Sequence, residues 1–330
     1  MSAREPERPQ RPARGAPPAA APLQGGAPRT WTVLELLRWT KDHFARRGIE
    51  SARLDAECLL AHALGCDRLR LYLDFEKPVE AAERARFREL VRRRADERVP
   101  VALLVGRREF WSLELEVTPD VLVPRPETET LVDRLLAGVC DREAELRVLD
   151  VGTGSGAIAV ALATELPKAR VTATDLSAAA LAVARRNAER HGVADRVRFL
   201  EGDAFDAVEG ERFHLVASNP PYVAEAGAAQ LPPELRHEPR AALFAGPDGT
   251  EVLRRLAAGV AAHLEPGGAV AFEVGEGQAE RVAAWLRAAG LLEPSVQRDA
   301  AARPRVVVAR APGSECGDPR TEGSPDGGSS

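Results

Sequence analysis

The run Val148-Leu149-Asp150-Val151, followed by Gly152-Thr153-Gly154-Ser155-Gly156, constrains this chain more than any other feature. An apolar strand meets alternating glycines, and Ala157-Ile158-Ala159-Val160-Ala161-Leu162 opens a helix behind them. Glycine adopts φ > 0 readily and lets a ligand approach the backbone. The helix start adds free N–H groups. The alternation then continues. Helix 157–166 leads to a strand ending at Thr174, helix 177–191 to strand 197–200, and strand 213–217 follows. Helix 250–264, strand 269–274, helix 278–289 and a last strand pair around 293–297 and 305–308 complete it. This order predicts a mostly parallel α/β sheet, Rossmann-like, with helices on both faces. The short connection 298–304 predicts an antiparallel last strand.

Gly152, Gly154 and Ala157 also satisfy G-x-G-x-x-G/A, so the glycines alone leave a nicotinamide dinucleotide and S-adenosylmethionine both open. The acids separate them. Asp150 is placed to repel a pyrophosphate and attract a sulfonium or ammonium. Asp175 ends the next strand at the offset of a ribose-binding acid. Asp203 ends the third, where it can accept from an exocyclic adenine amine. Singly, each is an ordinary turn aspartate; together they line the crevice in which open α/β sheets bind ligands.

Strand 213–217 runs into Asn219-Pro220-Pro221-Tyr222. Proline has no N–H and a fixed φ, so the ladder stops there. The Asn219 side chain, the Pro220 carbonyl and the Tyr222 ring then suit a planar –NH2 group: two acceptors and an aromatic face. A plain strand stop is the alternative reading of the same residues.

These acids and Asn219 to Tyr222 together resemble the class I S-adenosylmethionine-dependent methyltransferases that act on planar nitrogens. Gly106-Arg107-Arg108-Glu109-Phe110-Trp111 and Val121-Leu122-Val123-Pro124-Arg125-Pro126-Glu127-Thr128-Glu129 narrow this to the protein glutamine methyltransferase family. The peptide chain release factor branch is the most similar, over Trp31 to Ala311. Leu103 stands where the family often has Tyr, Ser112 where it often has Gly, and Ala204 where it often has an aromatic residue, with Phe205 next.

The resemblance implies a class I methyltransferase sheet with a small all-α domain at 31–99, a β-hairpin linker at 100–126 and a methyltransferase domain at 127–311. It implies S-adenosyl-L-methionine as cofactor, S-adenosyl-L-homocysteine as product, and no metal. The cofactor contacts are Asp150, Gly152, Thr153, Gly154, Ser155, Gly156, Asp175, Asp203, Ala204 and Asn219. Asn219, Pro220 and Tyr222 are the catalytic group. These three, with Pro221 and Phe110, meet the substrate. The implied partner is a release factor, methylated on the glutamine of Gly-Gly-Gln, and the enzyme is expected to be a cytoplasmic monomer. A ribosomal-protein glutamine and the exocyclic amine of adenine in nucleic acid remain alternatives.

Composition bears on these. A net charge of -5 offers no basic nucleic-acid face. Cys58, Cys66, Cys140 and Cys316 have neither metal-ligand nor disulfide-framework spacing, which fits a reducing compartment. No apolar run reaches membrane-spanning length. Residues 1–30 and 312–330 read as disordered tails. In the helical segment Thr32 is a candidate N-cap, with Val33, Leu36 and Leu37 at helical spacing behind it. Trp111 to Val117 alternates as a strand, with Val121 to Val123 returning. His237, in the long proline-rich loop 222–249, is either a structural hydrogen-bonder or a substrate contact.

Overall fold

The computed structural model describes residues 30–313. Apart from their innermost residues, the tails lie outside the described residues, as does Cys316.

The amino-terminal part is helical: α1 (Val33–Arg46), α2 (Ala52–Leu64), α3 (Arg68–Leu73), α4 (Ala81–Asp96) and the short α5 (Val101–Val105). Thr32 caps α1 as expected. Its hydroxyl accepts from the Glu35 N–H while Glu35 accepts from the Thr32 N–H, satisfying two otherwise free donors. Phe44, Leu59, Leu60, Leu71 and Phe87 are buried in the core of this module.

A hairpin follows, β1 (Arg107–Phe110) paired antiparallel with β2 (Leu113–Glu116). It lies upstream of the predicted one, and 121–123 is not a strand. Trp111 and Ser112 both have positive φ, 53° and 59°, the geometry of a two-residue turn that matches hairpin twist. Distant side chains hold this turn without glycine. The Trp111 N–H donates to Glu129 Oε1 and the indole N–H to Glu165 Oε1, each at 2.9 Å.

The rest alternates as predicted: α6 (Glu129–Ala137), β3 (Arg147–Val151), α7 (Ala157–Glu165), β4 (Arg170–Asp175), α8 (Ala178–Arg190), β5 (Val197–Glu201) and β6 (Phe213–Ser218). Then come α9 (Glu251–Gly259), β7 (Leu264–Glu273), α10 (Ala279–Ala288), β8 (Leu292–Arg298) and β9 (Pro304–Arg310). The helix expected to reach Leu264 ends earlier, at Gly259, in a 3-10 turn, and β7 starts earlier than foreseen. The seven-stranded sheet has the order β5-β4-β3-β6-β7-β9-β8. Strands β3 to β7 are parallel, and β9 runs antiparallel to both its neighbours.

Successive strand residues point to opposite faces, and two cores result. Val148, Val171 and Leu215 pack with Leu131, Leu135 and the alanine-rich α7. Leu149, Val216 and Phe272 pack with Leu253, Leu256, Val282 and Leu286 of α9 and α10. Strand order reverses between β3 and β6, whose register sets Val151 beside Ser218. The Ser218 hydroxyl donates to the Val151 carbonyl at 2.7 Å. The glycine turn and the Asn-Pro-Pro-Tyr segment therefore leave the sheet side by side. Among the described residues no helix is long and apolar enough to cross a membrane.

Candidate active site

A cavity of about 490 Å³ opens at this carboxyl edge. Gly152, Thr153, Gly154 and Ser155 form one wall, Asp175, Asp203 and Ala204 another, and Asn219, Pro220 and Pro221 a third. Pro124, Thr128 and Pro239 close it from the linker and the long loop.

The glycines divide by role. Gly152 and Gly154 have φ of 73° and 55°, and a Cβ on either would meet no protein atom within 4 Å. Gly156 does not line the cavity. Its φ is 81°, and a Cβ there would sit 3.0 Å from the Ala184 Cβ. It is a packing glycine that lets α7 start against α8.

The acids divide as well. Asp150, expected at the cofactor, is fully buried and does not line the cavity. Its Oδ2 accepts from the Thr153 hydroxyl (2.7 Å) and the Ala159 N–H (3.1 Å), so it braces the glycine turn from beneath. Burial pushes its carboxyl up to about 7. Asp175 does face the cavity, and it also accepts from the N–H groups of Gly154 and Ser177, both at 2.9 Å. Burial raises its carboxyl too, against those two hydrogen bonds. Asp203 lines the cavity with Oδ2 paired to Arg255 at 2.8 Å. Arg255 was not foreseen. Phe205 turns into the core and stacks on His263, leaving Ala204 at the wall.

Asn219 is the focus of the third wall. Its Nδ2 donates to the Thr128 hydroxyl at 3.0 Å, and Thr128 donates to Glu273 Oε2 at 2.6 Å. Asn219 Oδ1 is buried and has no hydrogen-bond partner. Tyr222, expected to cover the substrate, is turned away from the cavity and directs its hydroxyl to Glu273 Oε1 at 3.2 Å. Gln278 ties the Tyr222 carbonyl down at 3.0 Å, so the segment after the prolines is fixed. Phe110 is also corrected. It is 1% exposed in the core with Leu115 and Leu131, because it ends β1 just before a turn that Glu129 holds at the start of α6.

The long loop is clasped from both sides. Glu238, 5% exposed, accepts from the Val123 N–H (3.0 Å) and from Arg125 (2.6 Å). His237 bonds the Glu97 carbonyl at 2.8 Å, so it is structural. Sequence reasoning gave no individual role to Thr128 or Glu238 and missed Glu273. The available signal for Glu273 was one acid inside the apolar run Ala269-Val270-Ala271-Phe272-Glu273-Val274.

A sheet in this order, with one reversed strand, β9, beside the edge strand β8 and a glycine turn facing strand-end acids, defines a class I methyltransferase fold. Residues 35–106 match the family described as the PrmC N-terminal domain, and residues 129–246 match the methyltransferase small domain. A release factor glutamine methyltransferase of Rhodopirellula baltica is 50% identical, over 74% of this chain and 84% of that one. Another, of Geobacter sulfurreducens, is 44% identical over 86% of this chain and 98% of that one. A solved structure of a release factor-specific protein-(glutamine-N5) methyltransferase from Alicyclobacillus acidocaldarius is 32% identical, covering 60% of this chain and 99% of that one, with a TM-score of 0.37. The chain belongs to the release factor glutamine methyltransferase family and is a methyltransferase enzyme.

Proposed function

We propose that the protein methylates the side-chain amide nitrogen of a glutamine in a protein, the Gly-Gly-Gln motif of a peptide chain release factor, using S-adenosylmethionine. The observation that carries this reading is Asn219 Oδ1, a buried acceptor with no partner on a cavity wall. A buried acceptor left unpaired costs free energy, and a substrate N–H relieves that cost.

The cavity suits the cofactor. Two glycines keep the wall free of side chains, and Asp175 offers a carboxylate at the end of β4. When bound, S-adenosylmethionine supplies an electrophilic methyl on a sulfonium. The protein's part is positional. An amide nitrogen is a weak nucleophile because its lone pair is delocalised into the carbonyl. Asn219 Oδ1 and the Pro220 carbonyl each accept one N–H and hold the amide plane, an orientation effect of up to about 7–11 kcal/mol. As nitrogen gains positive charge its N–H groups become stronger donors, so both acceptors bind the transition state more tightly than the ground state. The proton leaves the product for water without a dedicated base.

The helical module at 31–99 then serves as the recognition unit for the protein substrate, joined through 100–126 to the catalytic domain at 127–311. Leu69 and Leu73 of α3 support this, being 69% and 70% exposed. We place the enzyme in the cytoplasm as a monomer.

Asp175→Ala is expected to weaken cofactor binding by about 10- to 100-fold, the worth of hydrogen bonds to a charged group. Calorimetry with S-adenosylhomocysteine checks this, and an unchanged affinity rejects the ribose role. The reaction is tested with labelled S-adenosylmethionine and purified release factors, ribosomal proteins and DNA in parallel. Mass spectrometry should find the label on the Gly-Gly-Gln glutamine; label on DNA or another residue overturns the reading.

A further inference from the structure

Glu273 is a buried acid that the account above does not use. It ends β7 and is 1% exposed. The titratable and charged groups facing it are Tyr222, Arg305 of β9 and Glu127 in the turn before α6. Arg305 lies 3.6 Å from Asp299 as its ion-pair partner. What Glu273 does hold is a chain of donors. Tyr222 gives it one hydroxyl proton at 3.2 Å, Thr128 gives it another at 2.6 Å, and Asn219 Nδ2 donates to Thr128 at 3.0 Å.

The direction of this chain follows from the carboxylate. An ionised carboxylate only accepts, so the Thr128 proton points to Glu273. The Thr128 oxygen is then left to accept, and it can accept only from an N–H. The NH2 end of Asn219 must face Thr128, and the oxygen is left on the other side of the amide. Asn219 Oδ1 is indeed the atom left without a partner. Donation toward a negative charge also polarises the Asn219 amide. Electron density moves onto Oδ1, and chains of hydrogen bonds strengthen one another in this way.

We infer that Glu273 and Thr128 are positioning residues that lock the Asn219 amide in one orientation and sharpen Oδ1 as the acceptor for the substrate nitrogen. The inference rests on the proposed role of Asn219 in amide methylation. It gives a task to the hydroxyl of Thr128, the Thr of the Pro-Arg-Pro-Glu-Thr run, which closes the cavity beside Asn219. A protonated Glu273 can donate to Thr128 and reverse the chain. Burial, opposed by the Thr128 hydrogen bond, raises the Glu273 carboxyl to about 7. Turnover therefore rises with pH through neutrality and levels off once the acid is ionised.

The test uses the full chain. Thr128→Val keeps the shape and removes the relay, and Thr128→Ser restores the hydroxyl. Glu273→Gln keeps the volume and abolishes the titration. With a release-factor substrate, Thr128→Val and Glu273→Gln should lower kcat by about 10- to 100-fold, with S-adenosylhomocysteine affinity by calorimetry unchanged. Thr128→Ser should recover most of kcat, and the neutral limb of the pH profile should vanish in Glu273→Gln. Near wild-type kcat in Thr128→Val, or a persisting limb in Glu273→Gln, overturns the relay. A second readout needs neither substrate nor a variant. The Asn219 side-chain amide proton resonances of the wild-type protein should shift with the Glu273 carboxyl titration. Resonances that stay put while Glu273 titrates overturn the relay even if glutamine methylation is confirmed. Resonances that track it uphold the relay even if the methyl acceptor proves to be another nitrogen.

Discussion

Asn219→Ala is expected to lower turnover by about 100- to 1,000-fold, the usual cost of removing one preorganised group facing transition-state charge. The cofactor affinity should stay close to that of the wild type, because Gly152, Gly154, Asp175 and Asp203 remain in place on the other walls. The reason is differential. Oδ1 is unpaired in the free protein, so its bond to the substrate forms on binding and strengthens as charge grows on nitrogen. Asn219→Asp separates charge from orientation. Its carboxylate has no N–H to give Thr128, and it adds a second negative charge beside Glu273, so it should also fail. Single-turnover kinetics with saturating S-adenosylmethionine make the measurement. Near-normal turnover in Asn219→Ala would remove the acceptor role altogether.

Arg94→Met should destabilise the protein by about 3–5 kcal/mol, the cost of breaking a buried ion pair from one side. Arg94 is 6% exposed and sits between two carboxylates. Its Nε donates to Asp55 Oδ2 at 2.7 Å, and its Nη1 to Glu234 Oε1 at 2.8 Å. Arg98 also reaches Glu234 at 2.8 Å. Asp55 belongs to α2, Arg94 to α4 and Glu234 to the long loop that continues into the cavity wall at Pro239. Losing Arg94 leaves Asp55 buried and uncompensated, and it removes one tie between the loop and the helical module, leaving Arg98 on Glu234 and His237 on the Glu97 carbonyl. Activity should fall with stability, mainly through a higher KM. Burial pushes the Glu234 carboxyl up, but Arg94 and Arg98 outweigh this and hold it below its ordinary value. That contribution is therefore present at neutral pH and is lost as pH falls through the depressed value. Urea unfolding of the full chain reads the change, and an unshifted midpoint would show that the network adds nothing. Replacing Asp55, Arg94 and Glu234 together by apolar residues should recover part of the loss, because the only charge left without its carboxylate is Arg98, which is partly exposed to solvent.

The parts of the site legible in the sequence are those fixed by local chemistry. Asp175 and Asp203 fall at strand ends, and Asn219 follows an apolar strand and precedes prolines, so each reaches the crevice by strand polarity alone. Asp150 shows the limit of that logic. Two residues before the first glycine is a position, not a direction, and the side chain turns beneath the loop to Thr153 and Ala159. Gly156 was grouped with its neighbours because all three glycines look alike in sequence. Only the approach of Ala184 shows that it serves helix packing. The hairpin was misplaced because its turn carries Trp111 and Ser112 instead of glycine, and Glu129 and Glu165 hold it from far along the chain.

Hydrophobic period, glycine spacing and proline placement by themselves determined the sheet, the order of its elements and the edge at which the cavity opens. They did so because these features act over a few residues, within the reach of one strand or turn. The tertiary structure alone decided which groups stand behind that edge: Glu273 beneath Asn219, with Thr128 between them, and Arg94 beside the loop. Those contacts join residues separated by most of a domain, and a hydrogen bond is set by distance and angle in space, which no local pattern encodes.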